Sequence, residues 1–228
     1  DQLTGLINRR EFENRLGEAL QAARLNEGLS HVLMYLDLDQ FKVVNDTCGH
    51  EAGDRLLKQV TSVVQTRIRT TDTLARLGGD EFGVLLSDCT LDTAQRIAEG
   101  LRQAIRDFRF VWQDRVMKVG VSIGLEIGGR FEIGVVEAPA LGLTFAARRG
   151  GGATCNGATM RVSDEVQLGR SLLGTGFPYD RQTSPDNNFA QFIAFQKRAQ
   201  GVRRPGAAAL DLAFVARGAF DGFWEMKL

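Results

Sequence analysis

Two pairs of acidic residues stand where chemistry could be done: Asp37 and Asp39 at the end of an apolar run, and Asp80 and Glu81 behind a glycine pair. The second pair lies in Arg76-Leu77-Gly78-Gly79-Asp80-Glu81-Phe82, with Leu74 and Leu77 before it and Phe82, Val84, Leu85 and Leu86 after it. A Gly-Gly step between two apolar runs predicts the turn of a β-hairpin, because glycine adopts positive φ without a Cβ clash. Carboxylates beside glycines, where a ligand can approach bare backbone, suit a Mg²⁺ ion carrying a nucleotide's phosphates. A solvated turn fits the hairpin equally well. The first pair weights the choice. Val32 to Leu36 predicts a strand buried on both faces, and Asp37-Leu38-Asp39 then falls at its carboxyl end, where α/β folds bind ligands.

The elements that must position these groups follow from spacing. Asn8 three residues ahead of Glu11 is a helix-start signal, and Phe12, Leu16, Ala19, Leu20 and Ala23 continue it until Asn26-Glu27-Gly28. After the strand, Gln40 to Asp54 is expected as a loop. It offers Lys42 for phosphate, and Asn45 and Asp54 for the edge of a base. Leu56, Leu57, Val60, Val63, Val64 and Ile68 predict a helix, and Ala94, Ile97, Ala98, Leu101 and Ile105 another. Strands are expected near 109–112 and 116–125. A hairpin is expected about Gly128-Gly129, and a strand through Leu143, Phe145 and Ala147. Further on, Asp186 to Ala199 reads as a helix opened by Asp186. Ala207 to Ala216, apolar almost all round, reads as a buried helix stopped by Gly218. Val202-Arg203 and Phe220 to Trp224 read as strands, and Pro178 to Asn188 as the longest loop.

The totals exclude several classes. The 228 residues, 43% hydrophobic and 25% charged, suffice for one large or two small domains. A net charge of zero gives no basic field for DNA, RNA or anionic lipid. No apolar run approaches membrane-spanning length, and the first residues lack a signal-peptide pattern. Cys48, Cys89 and Cys155 have no metal-type spacing and suit a reducing compartment, so a cytoplasmic protein is expected. With only His31 and His50, a histidine-rich metal site is excluded.

Several spaced motifs resemble the GGDEF family of diguanylate cyclases. They are the opening D-x-L-T-G-L-x-N-R-R (Asp1 to Arg10), D-x-D-x-F-K-x-x-N-D-x-x-G-H-x-x-G-D (Asp37 to Asp54), R-x-G-G-D-E-F (Arg76 to Phe82) and V-S-I-G (Val121 to Gly124). The resemblance covers 1–124. It implies a signalling transferase that condenses two GTP molecules into cyclic di-GMP with Mg²⁺ or Mn²⁺, each subunit of a homodimer holding one GTP. By position, Asp37, Glu81 and the Leu38 carbonyl resemble the metal ligands. Asp80 would share the metal or help to deprotonate the 3′-hydroxyl. Asn45 and Asp54 look like the guanine readers, and Gln40, Phe41 and Lys42 like the triphosphate contacts. Gly78 and Gly79 would leave room for the nucleotide. Arg69-x-x-Asp72, with five residues between it and Gly78, resembles the family's inhibitory site for the product. Read alone, it is a helix-end arginine and a turn aspartate; its placement ahead of the R-x-G-G-D-E-F stretch favours the site.

After Gly124 the family's A-L-Y-x-A-K helix and last strand are not found. The remainder resembles the inositol monophosphatase family, on Gly134 to Pro139, Ala146 to Gly157, Arg161 to Ser163, Leu172 to Tyr179, Val202 to Leu212 and Asp221 to Glu225. V-S-I-G suits both families, so the switch is expected near Val121. The second family's E-E and D-P-x-D-G-T motifs are absent, and Leu228 falls just before its W-D. A vestigial substrate surface would remain at Gly206, Ala207, Ala208 and Glu225. The N–H groups of the first three would face a phosphate, and Glu225 would take sugar hydroxyls.

The expected fold is therefore α/β (α+β): a cyclase-like central sheet flanked by helices over 1–124, then a partial phosphatase-like α/β sheet over 125–228. Three functions compete. They are a cyclase made weak by the replaced C-terminal part of its domain, an inert module binding GTP or cyclic di-GMP, and a phosphatase-like fragment without its metal ligands. Incubation with GTP and Mg²⁺ separates the first two, and phosphate release from inositol monophosphate would show the third.

Overall fold

The side chain of Asn8 accepts a hydrogen bond from the Glu11 N–H, as its spacing from the glutamate requires. It closes strand β1 (Ile7–Asn8) and opens helix α1 (Arg9–Leu25). The chain continues through β2 (Val32–Asp39), α2 (Phe41–Cys48), α3 (His50–Gln65), β3 (Thr73–Gly78), β4 (Glu81–Leu86), α4 (Leu91–Asp107), β5 (Phe110–Trp112), β6 (Arg115–Met117), β7 (Gly120–Ile127), β8 (Arg130–Ala138) and β9 (Leu143–Arg148). Then come β10 (Gly152–Cys155), β11 (Ala158–Thr159), β12 (Leu172–Thr175), α5 (Phe189–Gln196), β13 (Gly201–Arg203), α6 (Ala208–Ala216) and β14 (Gly222–Trp224). This computed structural model describes residues 1–26, 28–178 and 180–227. Glu27 of the expected helix end, Tyr179 of the phosphatase-like motif and the terminal Leu228 lie outside the described residues.

The chain forms two compact units, Asp1–Gly151 and Gly152–Leu228. In the first, the strands run β1-β3-β4-β2-β7-β8-β9 across a sheet flanked by helices, the mixed α/β architecture expected. Central β2 is antiparallel to both neighbours, pairing Asp37 with Glu81 on one side and with Ser122 on the other. Directly paired residues share a face. Val32, Met34, Leu36 and Leu38 therefore point to the side covered by α2, α3 and α4, packed with Leu56, Leu57, Val60, Leu101 and Ile105. Leu33 points the other way, onto Phe12 and Ala19 of α1 and Leu85 of β4.

The sheet does not end where the cyclase-like motifs end. Strand β7 carries the V-S-I-G segment and pairs with β2 on one side and with β8 on the other, Val121 opposite Glu137. Beneath it a buried ion pair links α4 to β8. Arg102 Nη1 donates to Glu137 Oε2 at 2.5 Å, and the Thr144 hydroxyl of β9 donates to the same oxygen at 2.8 Å. Arg102 also grips both oxygens of Glu99, and Glu137 is 1% exposed.

In the second unit β12 lies between β13 and β14, parallel to both, and Asp221 accepts the Leu172 N–H. The connections that parallel pairing requires carry α5 and α6. Among the described residues no helix is long and apolar enough to cross a membrane.

Several boundaries differ from the sequence reading. The segment from Gln40 to Asp54 is not a loop but α2 and the start of α3, because Phe41 and Val44 bury themselves in the core. The strand expected over 116–125 is broken at Lys118 and Val119 into β6 and β7. Helix α5 starts at Phe189, not Asp186, since Asn188 takes the left-handed turn before it while the Asp186 N–H bonds to the Ser184 hydroxyl. Helix α6 buries Leu210, Asp211 and Ala213 but leaves Leu212 51% exposed, so it is not buried all round.

Candidate active site

The β2–β4 ladder decides where the acids meet. Asp37 sits directly opposite Glu81, and the Leu38 N–H donates to the carbonyl of Asp80 at 3.3 Å. Gly78 is the last residue of β3 and the turn is Gly79-Asp80, with Gly79 at φ +48°, so only the second glycine needs the left-handed region. Asp37, Asp80 and Glu81 thus gather at one end of the sheet, joined by Asp39 at the end of β2.

Crowding shows in their proton affinities. Burial first, then Asp80, Asp39 and Glu81, push Asp37 up to about 7. Burial pushes Asp39 to about 6 against the hydrogen bond from Ser122, and burial also raises Asp80. Glu81 is exposed and paired with Arg9 at 3.1 Å. Arg76 bonds to the Gly79 carbonyl and to Asp1. Carboxylates that repel one another are hard oxygen donors, and a divalent cation is the partner they suit. The fit lies in donor chemistry. Among the described residues no three His, Cys, Asp or Glu side chains already stand in a ligand array.

Asn45, one of the two predicted base readers, is placed by a different route. A Cβ on Gly53 would fall 2.0 Å from Asn45 Oδ1 and 3.1 Å from the Phe41 ring, so the missing side chain lets Asn45 lie against the residue before Asp54. The Phe41 side chain is buried, leaving its backbone as the available contact, whereas Gln40 and Lys42 are exposed. Arg69 and Asp72 sit at the far end of β3, about 20 Å from the Gly79 turn by strand rise. Both Asp72 oxygens are engaged by main chain, one by the Arg69 N–H and one by the Ser87 N–H. Arg69 lines a depression of about 380 Å³ with Arg67 and Arg96.

In the second unit Gly206 and Ala207 precede α6, and the Gly206 N–H turns to the carboxyl of Asp211. Asp211 is 1% exposed, and one of its oxygens lacks a hydrogen-bond partner. Burial and then Glu225 raise it to about 7, and burial also raises Glu225.

Residues 1–130 match the family described as diguanylate cyclase, GGDEF domain, and residues 94–228 match the inositol monophosphatase family. The chain belongs to both families. It is 46% identical over 127 residues to the probable diguanylate cyclase DgcE of Escherichia coli, covering 56% of this chain and 11% of that protein. It is also 46% identical over 110 residues to the Nus factor SuhB of Pseudomonas aeruginosa, covering 47% of this chain and 41% of that protein. Among solved structures, the isolated GGDEF domain of YfiN (TpbB) from Pseudomonas aeruginosa is similar, with 33% identity and a TM-score of 0.54 over 61% of this chain and 79% of that one. The chain therefore spans a minor part of either curated relative.

Within the GGDEF family match, sequence reasoning left four participants without a role: Arg9, Asp39, Arg76 and Ser122. Arg9 and Arg76 were visible inside quoted motifs. Their partners were not, since Arg9 and Glu81 are 72 positions apart. In the inositol monophosphatase family match it missed Asp211, an acid inside an apolar helix, and that mismatch was the available signal.

The raised carboxyls set the pH dependence of folding. In the unfolded chain they ionise near 4, whereas in the folded chain Asp37 and Asp211 do so near 7 and Asp39 near 6. The folded state then binds more protons between these values, so these groups favour folding at the acid end and that contribution is lost as pH rises through 6 to 7. Thermal melting in a chelator is expected to move to lower temperature from pH 5 to pH 8. Asp37→Asn should flatten the fall, and a midpoint that rises over this range contradicts the assignment.

Proposed function

We propose that the first unit binds GTP with a divalent cation and condenses two GTP molecules into cyclic di-GMP, slowly, in a homodimer. The observation that carries this reading is Asp37 facing Glu81 across β2 and β4, with Asp80 in the turn beside them. Members of both families depend on divalent cations. Asp37, Glu81 and the Leu38 carbonyl would hold Mg²⁺ or Mn²⁺, which supplies charge neutralisation at the phosphates. The donor atoms of guanine N1 and N2 suit acceptors on Asp54 and Asn45. The backbone at Gln40 and Phe41, with Lys42, meets the triphosphate, and Gly78 and Gly79 leave it room. Asp80 shares the cation or takes the 3′-hydroxyl proton as the 3′-oxygen bonds to the partner nucleotide's α-phosphorus and pyrophosphate leaves. Two such steps close the ring. Arg69 and Asp72 form the product's inhibitory site.

Slow turnover is proposed because β8 follows β7 where the GGDEF pattern calls for a helix and a further strand. We place the change of family at β7, which lies between β2 and β8 in the first unit's sheet. Residues 125–228 serve as scaffold, with Gly206, Ala207, Ala208 and Glu225 a vestigial substrate surface. A second reading, an inert module that holds GTP or cyclic di-GMP, is favoured by the pairing of Glu81 with Arg9.

The experiment is incubation with GTP and Mg²⁺ followed by nucleotide separation. Cyclic di-GMP supports the cyclase, and bound but unconverted GTP supports the inert module. Failure to bind GTP rejects the cyclase, failure to bind cyclic di-GMP as well rejects the inert module, and phosphate release from inositol monophosphate reopens the phosphatase reading. The base-reading role has its own check. Gly53→Ala must displace Asn45, so it is expected to weaken GTP binding about tenfold by calorimetry, the worth of one good hydrogen bond. Unchanged affinity would remove Asn45 from the site.

A further inference from the structure

Asp39 is the most buried of the clustered acids, 9% exposed, and no role falls to it above. Ser122 Oγ of β7 lies 3.2 and 3.1 Å from its two oxygens, joining residues 83 positions apart. Opposite Asp39 stands Gly120, where a Cβ would lie 2.8 Å from the Glu137 carbonyl and 3.0 Å from Asp39 Cβ, so the sheet leaves just enough space for this side chain. The next residue, Gln40, adopts φ +62° and ψ +22° without being a glycine. Its side chain makes no capping bond, although its carbonyl accepts the Val43 N–H and so begins α2. A non-glycine residue in the left-handed region costs about 1–3 kcal/mol and persists only where its surroundings enforce it. Here the enforcement comes from both sides: Asp39 is bonded into the sheet by Ser122, and the Phe41 ring is buried. Between these anchors the turn sets the direction of the first N–H groups of α2.

We propose that Asp39, held by Ser122, is a positioning residue that fixes the turn at Gln40 and so aims the main-chain N–H groups at Gln40 and Phe41 toward the nucleotide's phosphates. This rests on the GTP-binding reading above. The ligand chemistry concerned is the polyphosphate, not the base, and that separates positioning from general support of the fold. Helix N–H groups gain from a phosphate only when they point at it, whereas guanine is read elsewhere, at Asn45 and Asp54.

The test uses the full chain with Mg²⁺, a fluorescent GTP analogue as probe, and displacement by GTP or by guanosine, which has no phosphates. Ser122→Ala is expected to weaken GTP binding about tenfold, the loss of one charge-assisted hydrogen bond, and to leave guanosine binding unchanged. Ser122→Thr, which keeps the hydroxyl, should bind GTP as the wild type does. Equal weakening for GTP and guanosine would mean a structural role only and overturns the inference. So does an unaltered GTP affinity in Ser122→Ala, or failure of Ser122→Thr to bind as the wild type. If the wild-type chain binds no GTP analogue, the functional reading fails first and this inference with it.

Discussion

A chain carrying Asp80→Ala together with Glu81→Ala is expected to keep its fold and to lose cyclic di-GMP formation by a factor of about 100 to 1,000 or more, the cost typical of removing a preorganised electrostatic group. The fold should survive because Glu81 is exposed and Asp80 lies in a turn. Burial already raises the proton affinity of Asp80, so its loss removes an unfavourable charge. What disappears is half of the acidic end of the sheet, leaving Asp37 and Asp39 without the groups that face them from β4 and its turn. Nucleotide separation after incubation with GTP and Mg²⁺ measures the loss, and circular dichroism checks the fold. A double variant that makes product at the wild-type rate would remove the β3–β4 turn from the chemistry.

The largest effect on stability is expected far from those carboxylates. Glu137→Ala should cost about 1–3 kcal/mol, because Arg102 stays paired with Glu99 but one of its buried N–H groups loses its acceptor. Arg102 donates to Glu137 beneath β8, and Thr144 donates to the same oxygen, so the truncation removes two hydrogen bonds at once. Urea denaturation of the wild type and the variant measures the difference. Replacing both partners by apolar residues, Arg102→Met with Glu137→Leu, should recover most of the loss, since no buried guanidinium N–H is then left without its acceptor. A single variant within 1 kcal/mol of wild type, roughly the worth of an exposed ion pair, would show that water reaches the pair. The position matters because Glu137 and Thr144 lie beyond the GGDEF match, whereas Arg102 lies where the two family matches overlap. The bond therefore joins a helix in the overlap of the two matches to the strands beyond the GGDEF match.

Helix α2 shows how a local reading goes astray. Val43, Val44 and Thr47 are β-branched, Asn45 and Asp46 favour turns, and Gln40 starts the helix from a left-handed conformation. Intrinsic preference argues against a helix there, and burial of Phe41 and Val44 against the sheet overrides it. The same limit hid Arg9 beside Glu81 and Ser122 beside Asp39.

By itself the sequence determined whatever rests on neighbours within a turn or two. The Asn8 cap, the apolar stripes of α1, α3 and α4, the reversals at Gly79 and at Gly128-Gly129, and the order of two families' motifs are all written locally. Tertiary structure alone decided that β7 would join β2 to β8, that Asp37 would face Glu81, and that Arg102 would find Glu137. Those pairings form between residues tens of positions apart, where register and burial in the folded sheet select the partner and no local spacing records it.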